Sequence, residues 1–170
     1  MESDFVDELR LSFKPSKISL LFVGESPPAG EKFFYKANSN LYYYTQKAFS
    51  LAFGPKCGHG ADFLKFFKDH GCYLDDLCLR PVNNVKNKAM RNNLRKEEIG
   101  PLADRIRAYE PSSIIAVMLA IAGHVKESAN IVGLTHIPFY SLPFPASGRH
   151  KRYVAELTSV LRDLRKSKRI

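Results

Sequence analysis

The stretch "ISLLFVGESPPAGEKFFY", Ile18 to Tyr35, runs a short apolar segment into a glycine, a glutamate and two prolines. An apolar run with no period-two alternation reads as a strand covered on both faces, and Gly24, Pro27, Pro28 and Gly30 are residues that stop a strand and turn it. Three further runs have the same character: "CYLDDLCL" (Cys72 to Leu79), "SSIIAVM" (Ser112 to Met118) and "HIPFYSL" (His136 to Leu142). Between and after them, apolar residues recur at three and four over Asn40 to Phe53, Ala61 to His70, Arg95 to Glu110, Leu119 to Val132 and about Arg152 to Arg165, which predicts helices. Strands alternating with helices predict a single α/β domain over 1–170: a three-layer αβα sandwich around a central, mainly parallel sheet of about four strands.

Composition narrows the partners. The chain carries 26 Lys and Arg against 17 Asp and Glu, a formal net charge of +9, so a polyanion is the first partner to consider. Three cysteines, Cys57, Cys72 and Cys78, make an odd number and argue for a reducing compartment rather than a disulfide framework. No apolar stretch reaches membrane-spanning length, and "MESDFVDELR" is too acidic for a signal or transit peptide. A cytoplasmic monomer, nuclear in a eukaryote, is expected.

Ligands of such a sheet sit beyond the carboxyl ends of its strands. That edge gathers Gly24 to Pro28, then Asp75, Asp76, Arg80, Pro81, Asn83 and Asn84, then Pro143 to His150. A second basic stretch, Val85 to Lys96, reads equally as a solvated face. Cys57, His59, His70 and Cys72 are chemically able to bind zinc, but the Cys-x-His spacing is unusual and the segment between them has Phe63, Phe66 and Phe67 to bury. No cofactor is expected.

In order, these turns resemble the uracil-DNA glycosylase superfamily over nearly the whole chain. "GESPP" resembles its first motif, where a glycine ends the first strand and a proline follows three residues later. "DDLCLRPV" is similar to the mismatch-specific branch's segment with a base-recognising Asn four residues before Arg-Pro, a position held here by Asp76. "FPASGRH" resembles the second motif, usually His-Pro-Ser or Asn-Pro-Ser, with its duplex-wedging loop. The resemblance implies excision of a deaminated or damaged base, of uracil or hypoxanthine type, from DNA by base flipping and water attack. It makes Glu25 the favoured catalytic carboxylate, since Ser26 stands where several branches have Asp or Asn. The residue supporting the leaving base becomes Phe144, which donates no hydrogen bond. The cysteines do not match the iron-sulfur branch.

Chemistry assigns further roles. Breaking an N-glycosidic bond leaves positive charge on the sugar and negative charge on the base, so a carboxylate belongs near C1′ and donors near the base. Glu25 supplies the first; Ser26 orients water or simply caps the turn. Phe34, and next Tyr35, offer a face on which a flipped base stacks. Asp76 accepts from the base edge, or else pairs with Arg80. Ser147, Gly148, Arg149, His150, Lys151 and Arg152 meet phosphates or fill the vacated gap. Two other readings stay open: a non-catalytic nucleic-acid-binding module on the same scaffold, and a small-molecule α/β enzyme acting on nucleotides.

Overall fold

Four strands, β1 (Leu20–Gly24), β2 (Cys72–Asp76), β3 (Ser113–Val117) and β4 (Phe139–Leu142), form one parallel sheet in the order β2-β1-β3-β4. They belong to a computed structural model that describes residues 2–170, with side chains from residue 5 onward. β1, β2 and β3 are buried along their whole length, as expected for parallel strands with helices on both faces. β4 is the less buried edge. β2, β3 and β4 lie within the runs expected to be strands, and β1 extends one residue past its apolar run to take in Gly24. The second ends earlier because the amides of Leu77 and Cys78 donate to the carbonyls of Gly24 (2.8 Å) and Glu25 (2.9 Å) instead of continuing straight on.

Seven helices cover the sheet: α1 (Glu2–Ser12), α2 (Asn40–Phe53), α3 (Gly60–Asp69), α4 (Lys88–Glu97), α5 (Ile99–Tyr109), α6 (Ala122–Ile131) and α7 (His150–Lys166). α2 packs on α7, and Phe49 of α2 meets Phe63 and Phe67 of α3. α4 and α6 pack on α5. The two groups follow from right-handed crossovers: β1 leads leftward to β2, while β2 and β3 lead rightward, so their helices lie on opposite faces. The result is the expected αβα sandwich. Among the described residues no helix is long and apolar enough to cross a membrane.

α1 was not expected from the sequence, and two further elements depart from the expectation. The helix expected over Arg95 to Glu110 is two helices meeting at Glu98. Pro101 is the cause: it has no amide to donate to Glu97 and suits a first turn, so α5 begins anew at Ile99. The basic stretch Val85 to Lys96 is no mere solvated face. Most of it is α4, capped by Asn87, whose side chain accepts from the Met90 amide at 3.0 Å.

α1 is fastened by charge. Arg10, only 3% exposed, donates to Asp75 Oδ1 at 2.9 Å and to Asp76 Oδ2 at 3.0 Å. Asp75 also accepts from Arg105 of α5 at 2.8 Å and from the Tyr109 hydroxyl at 3.1 Å. Burial opposes the Arg10 charge, but Asp76 and Asp75 outweigh it and raise its pKa. Removing one partner of such a cluster leaves buried charge uncompensated. Arg10→Met is expected to cost about 3–5 kcal/mol at neutral pH in urea unfolding, and less near pH 5, where Asp76 takes a proton. An unchanged midpoint would show that the cluster does not hold α1.

Candidate functional site

The polypeptide leaves β1 toward α2 on one face and leaves its neighbour β3 toward α6 on the other. A crevice must open between these strands at their carboxyl ends. There the protein has a cleft of about 720 Å3, within the usual range for small-molecule and base-sized sites. Every strand contributes to its wall. Gly24 ends β1 and Glu25, Ser26 and Pro28 follow it, Asp76 ends β2 and Asn83 follows it, Met118, Leu119 and Ala120 follow β3, and Pro143, Phe144, Ala146 and Ser147 follow β4. Lys32, Arg91, Arg149 and Arg152 add positive charge, while Phe33, Phe34, Leu41 and Leu74 form apolar wall.

Gly24 is required by close approach. A Cβ there would lie 2.4 Å from Asp76 Oδ1, because the two residues are register partners across β1 and β2. Only hydrogen at that position lets the Asp76 carboxylate lie over the strand end. Oδ2 is held by Arg10, and Oδ1 accepts no hydrogen bond from the described residues. Burial pushes the Asp76 pKa up to about 6; Arg10 opposes the shift and the neighbouring Asp75 carboxylate adds to it.

Glu25 has the opposite environment. Its Oε1 accepts from Arg91 Nε at 2.7 Å, Arg95 Nε at 2.8 Å and Arg95 Nη2 at 2.5 Å, and its Oε2 accepts from Arg91 Nη2. Burial would raise its pKa, but the hydrogen bonds and charges of Arg91 and Arg95 hold it below its ordinary value. Arg91 and Arg95 are one turn apart on α4, so both reach one carboxylate from one face. Arg91, at 24% side-chain exposure, lines the cleft; Arg95, at 11%, lies deeper.

The remaining expected site residues divide. Ser26 lines the cleft, and its Oγ accepts from the Val82 amide at 3.2 Å, which ties the first turn to the segment after β2. Phe144 (38% exposed), Ser147, Arg149 and Arg152 line the cleft, and Gly148 takes φ +79 in the turn between them. Arg152 also pairs with Glu156 at 2.6 Å. His150 and Lys151 do not line it; His150 stacks on Tyr44 with ring centres 5.0 Å apart.

The aromatic triplet needs correction. Phe33, Phe34 and Tyr35 are 4%, 3% and 3% exposed, so they present no open stacking face. Tyr35 is a core anchor outside the cleft wall. Its hydroxyl accepts from the Leu74 amide at 2.7 Å and donates to the Leu74 carbonyl at 3.1 Å, and its ring stacks on Phe13. Phe34 reaches the wall but packs edge-on against Tyr35 and Tyr42. Asp76, for which a pairing with Arg80 was the alternative, is paired with Arg10 instead. Cys57 packs beside Gln46 and Gly58, and His70 stacks on Phe66; among the described residues no three metal-ligating side chains gather in binding geometry.

Arg10, Arg91, Arg95 and the Met118–Ala120 turn were not anticipated as parts of the site. Asn87 followed by Lys88, Ala89, Met90 and Arg91 was a readable helix start, and Arg91 and Arg95 share its inner face with Leu94. Met118 carried no such signal. It adopts φ +140, which an L-residue rarely takes, and is held there by its amide's bond to the Leu142 carbonyl at 3.0 Å.

No family model matches the chain, and no curated protein matches it in sequence. The chemistry of the cleft therefore stands on its own residues. Two carboxylates in one cleft are driven in opposite directions, one held ionised and one poised near neutrality, a pattern common where acid and base roles are divided. Gly24→Ala is expected to swing the Asp76 carboxylate away and cost about 1–3 kcal/mol, measurable by urea unfolding and by a crystal structure of the variant. An unmoved Asp76 at wild-type stability would remove the close approach as a constraint.

Proposed function

We propose that this protein is a monofunctional DNA glycosylase, which receives a flipped deaminated or damaged base in the cleft and hydrolyses its bond to the sugar. The observation that carries the reading is the meeting, in one cleft, of Gly24, Glu25, Ser26, Asp76, Phe144 and Ser147 with the cations Lys32, Arg91, Arg149 and Arg152. These are the segments whose order along the chain resembles the uracil-DNA glycosylase superfamily. The cations sit where phosphates flanking a flipped nucleotide would pass, and the apolar wall of Phe33, Phe34 and Leu74 suits the base itself.

In this reading Glu25 stays charged beside the sugar and stabilises the positive charge that grows on C1′ as the base leaves. Asp76 Oδ1 meets the edge of the base above Gly24, and Phe144 packs against its ring. No lysine stands at the positions resembling the glycosylase motifs to form an amine adduct, so water attacks and the strand stays whole. A second reading, a non-catalytic base-binding module, is favoured by one observation: Arg91 and Arg95 already occupy the Glu25 carboxylate.

The deciding experiment incubates the protein with duplexes carrying uracil, hypoxanthine, xanthine or an alkylated base and looks for alkali-labile abasic sites without direct nicking. Glu25→Gln is expected to slow single-turnover excision about 30-fold to 1000-fold, which corresponds to about 2–4 kcal/mol of transition-state stabilisation, with DNA affinity kept or raised because Arg91 and Arg95 lose their carboxylate partner. Excision by the variant at the wild-type rate removes Glu25 from the chemistry; DNA binding with no base released by wild type selects the non-catalytic reading.

Binding itself has a separate signature. With five or so phosphates neutralised, log K for duplex DNA is expected to fall with log salt at a slope of about −4 to −5. A flat dependence contradicts DNA as the partner.

A further inference from the structure

We propose that Asp76 is a catalytic acid of this cleft: protonated on Oδ1, it delivers its proton to the departing base. The inference rests on the glycosylase reading and adds the group that supports the leaving base, which Phe144 has no atom to do.

The geometry supplies each requirement. Asp76 belongs to the cleft wall at the end of β2, and its two oxygens are unequal. Oδ2 is fixed by Arg10 at 3.0 Å, which orients the carboxyl group. Oδ1 lies over Gly24, at a position that no side chain on β1 could share, and no described residue donates to it. Oδ1 is therefore the Asp76 oxygen left free for a base in the cleft. The groups that set its charge come from four directions: Arg10 of α1 and Arg105 of α5 favour the anion, while Asp75 beside it and Glu25 after β1 favour the acid. Burial tips the balance, so that the carboxyl carries its proton up to about pH 6. Glu25 stays ionised in the same cleft and cannot be the donor.

The step balances. The C1′–N bond breaks with its electron pair going to the base nitrogen. Asp76 Oδ1 gives its proton to a heteroatom of that base and becomes a carboxylate. Water forms the C1′–O bond, its excess proton leaves to solvent through the open cleft, and Asp76 recovers a proton from solvent. The products are the free neutral base and the abasic sugar.

Acid assistance matters most for a base that leaves poorly as an anion, which gives a test separating proton transfer from simple recognition. Single-turnover excision is measured from pH 5 to pH 8 on duplexes carrying hypoxanthine or 5-fluorouracil, whose fluorine stabilises the departing anion. For wild type, hypoxanthine release is expected to fall about tenfold per pH unit above about pH 6, and 5-fluorouracil release to depend far less on pH. Asp76→Asn keeps the shape but has no proton to transfer. It is expected to lose about 100-fold or more on hypoxanthine at pH 5.5, less than tenfold on 5-fluorouracil, and the pH dependence of the former.

Equal losses on both bases with the wild-type pH profile retained would leave Asp76 a recognition group and overturn the proposal while the glycosylase reading stands. No release of any base by wild type would overturn both. Carboxyl carbon NMR on the wild-type protein provides a check that needs no variant: Asp76 is expected to titrate near pH 6, and titration in the ordinary carboxylate range overturns the proposal.

Discussion

Two adjacent carboxylates at the end of a buried strand are the constraint around which the rest of this protein is arranged. Asp75 and Asp76 are 1% and 6% exposed, and charge at such positions is costly unless paired. Arg10 bridges both, and Arg105 and Tyr109 complete the shell of Asp75. One cluster thereby fixes α1 and α5 to the strand whose end contributes Asp76 to the cleft wall. It also leaves the two carboxylates unequal, since Asp75 faces cations and a hydroxyl while Asp76 keeps one oxygen toward the cleft. Folding and site chemistry share this interaction, so the stability of α1 and the acidity of Asp76 cannot be changed independently.

The second carboxylate of the cleft is controlled from the other side. α4 brings Arg91 and Arg95 to Glu25, and burial and charge then act on Glu25 and Asp76 with opposite net results. Both are carboxyl groups at the ends of neighbouring strands, and their difference arises from burial and partners together: two guanidinium groups outweigh burial at Glu25, whereas at the more deeply buried Asp76 a shared guanidinium does not. The strand ends alone would have given two similar acids. The helices make them different.

Much of this was legible in the sequence. Apolar runs bounded by Gly and Pro marked all four strands, because a strand buried on both faces needs little else, and "NLYYYTQKAFSLAF" marked α2 from end to end. The convergence of Gly24, Asp76 and Phe144 followed from parallel topology. What escaped were features depending on partners far away in the chain. Arg10 lies 65 residues from Asp75 and Arg91 lies 66 from Glu25, and nothing local to an arginine shows whether it faces water or a buried carboxylate. Tyr35 misled for a related reason: an aromatic triplet after a turn looks exposed until the Leu74 backbone supplies the hydroxyl's partners. Pro101 was visible, but the unbroken apolar pattern around it hid the boundary between α4 and α5.

Charge in the cleft is sorted by depth, and that sorting bears on what can enter. Lys32, Arg149 and Arg152 are exposed, whereas Asp76 is buried and Glu25 is paired with Arg91 and Arg95. An anionic backbone is attracted at the surface but would meet the carboxyl group of Asp76 if drawn inward, so phosphates stop at the exposed cations. A neutral planar group carrying hydrogen-bonding edges suffers no such repulsion and gains the apolar wall of Phe33, Phe34 and Leu74. The cleft therefore favours a ligand that is charged outside and neutral within, with the two parts joined at short range. A nucleotide turned out of a strand has that form, since its phosphates remain with the backbone while its base goes inward.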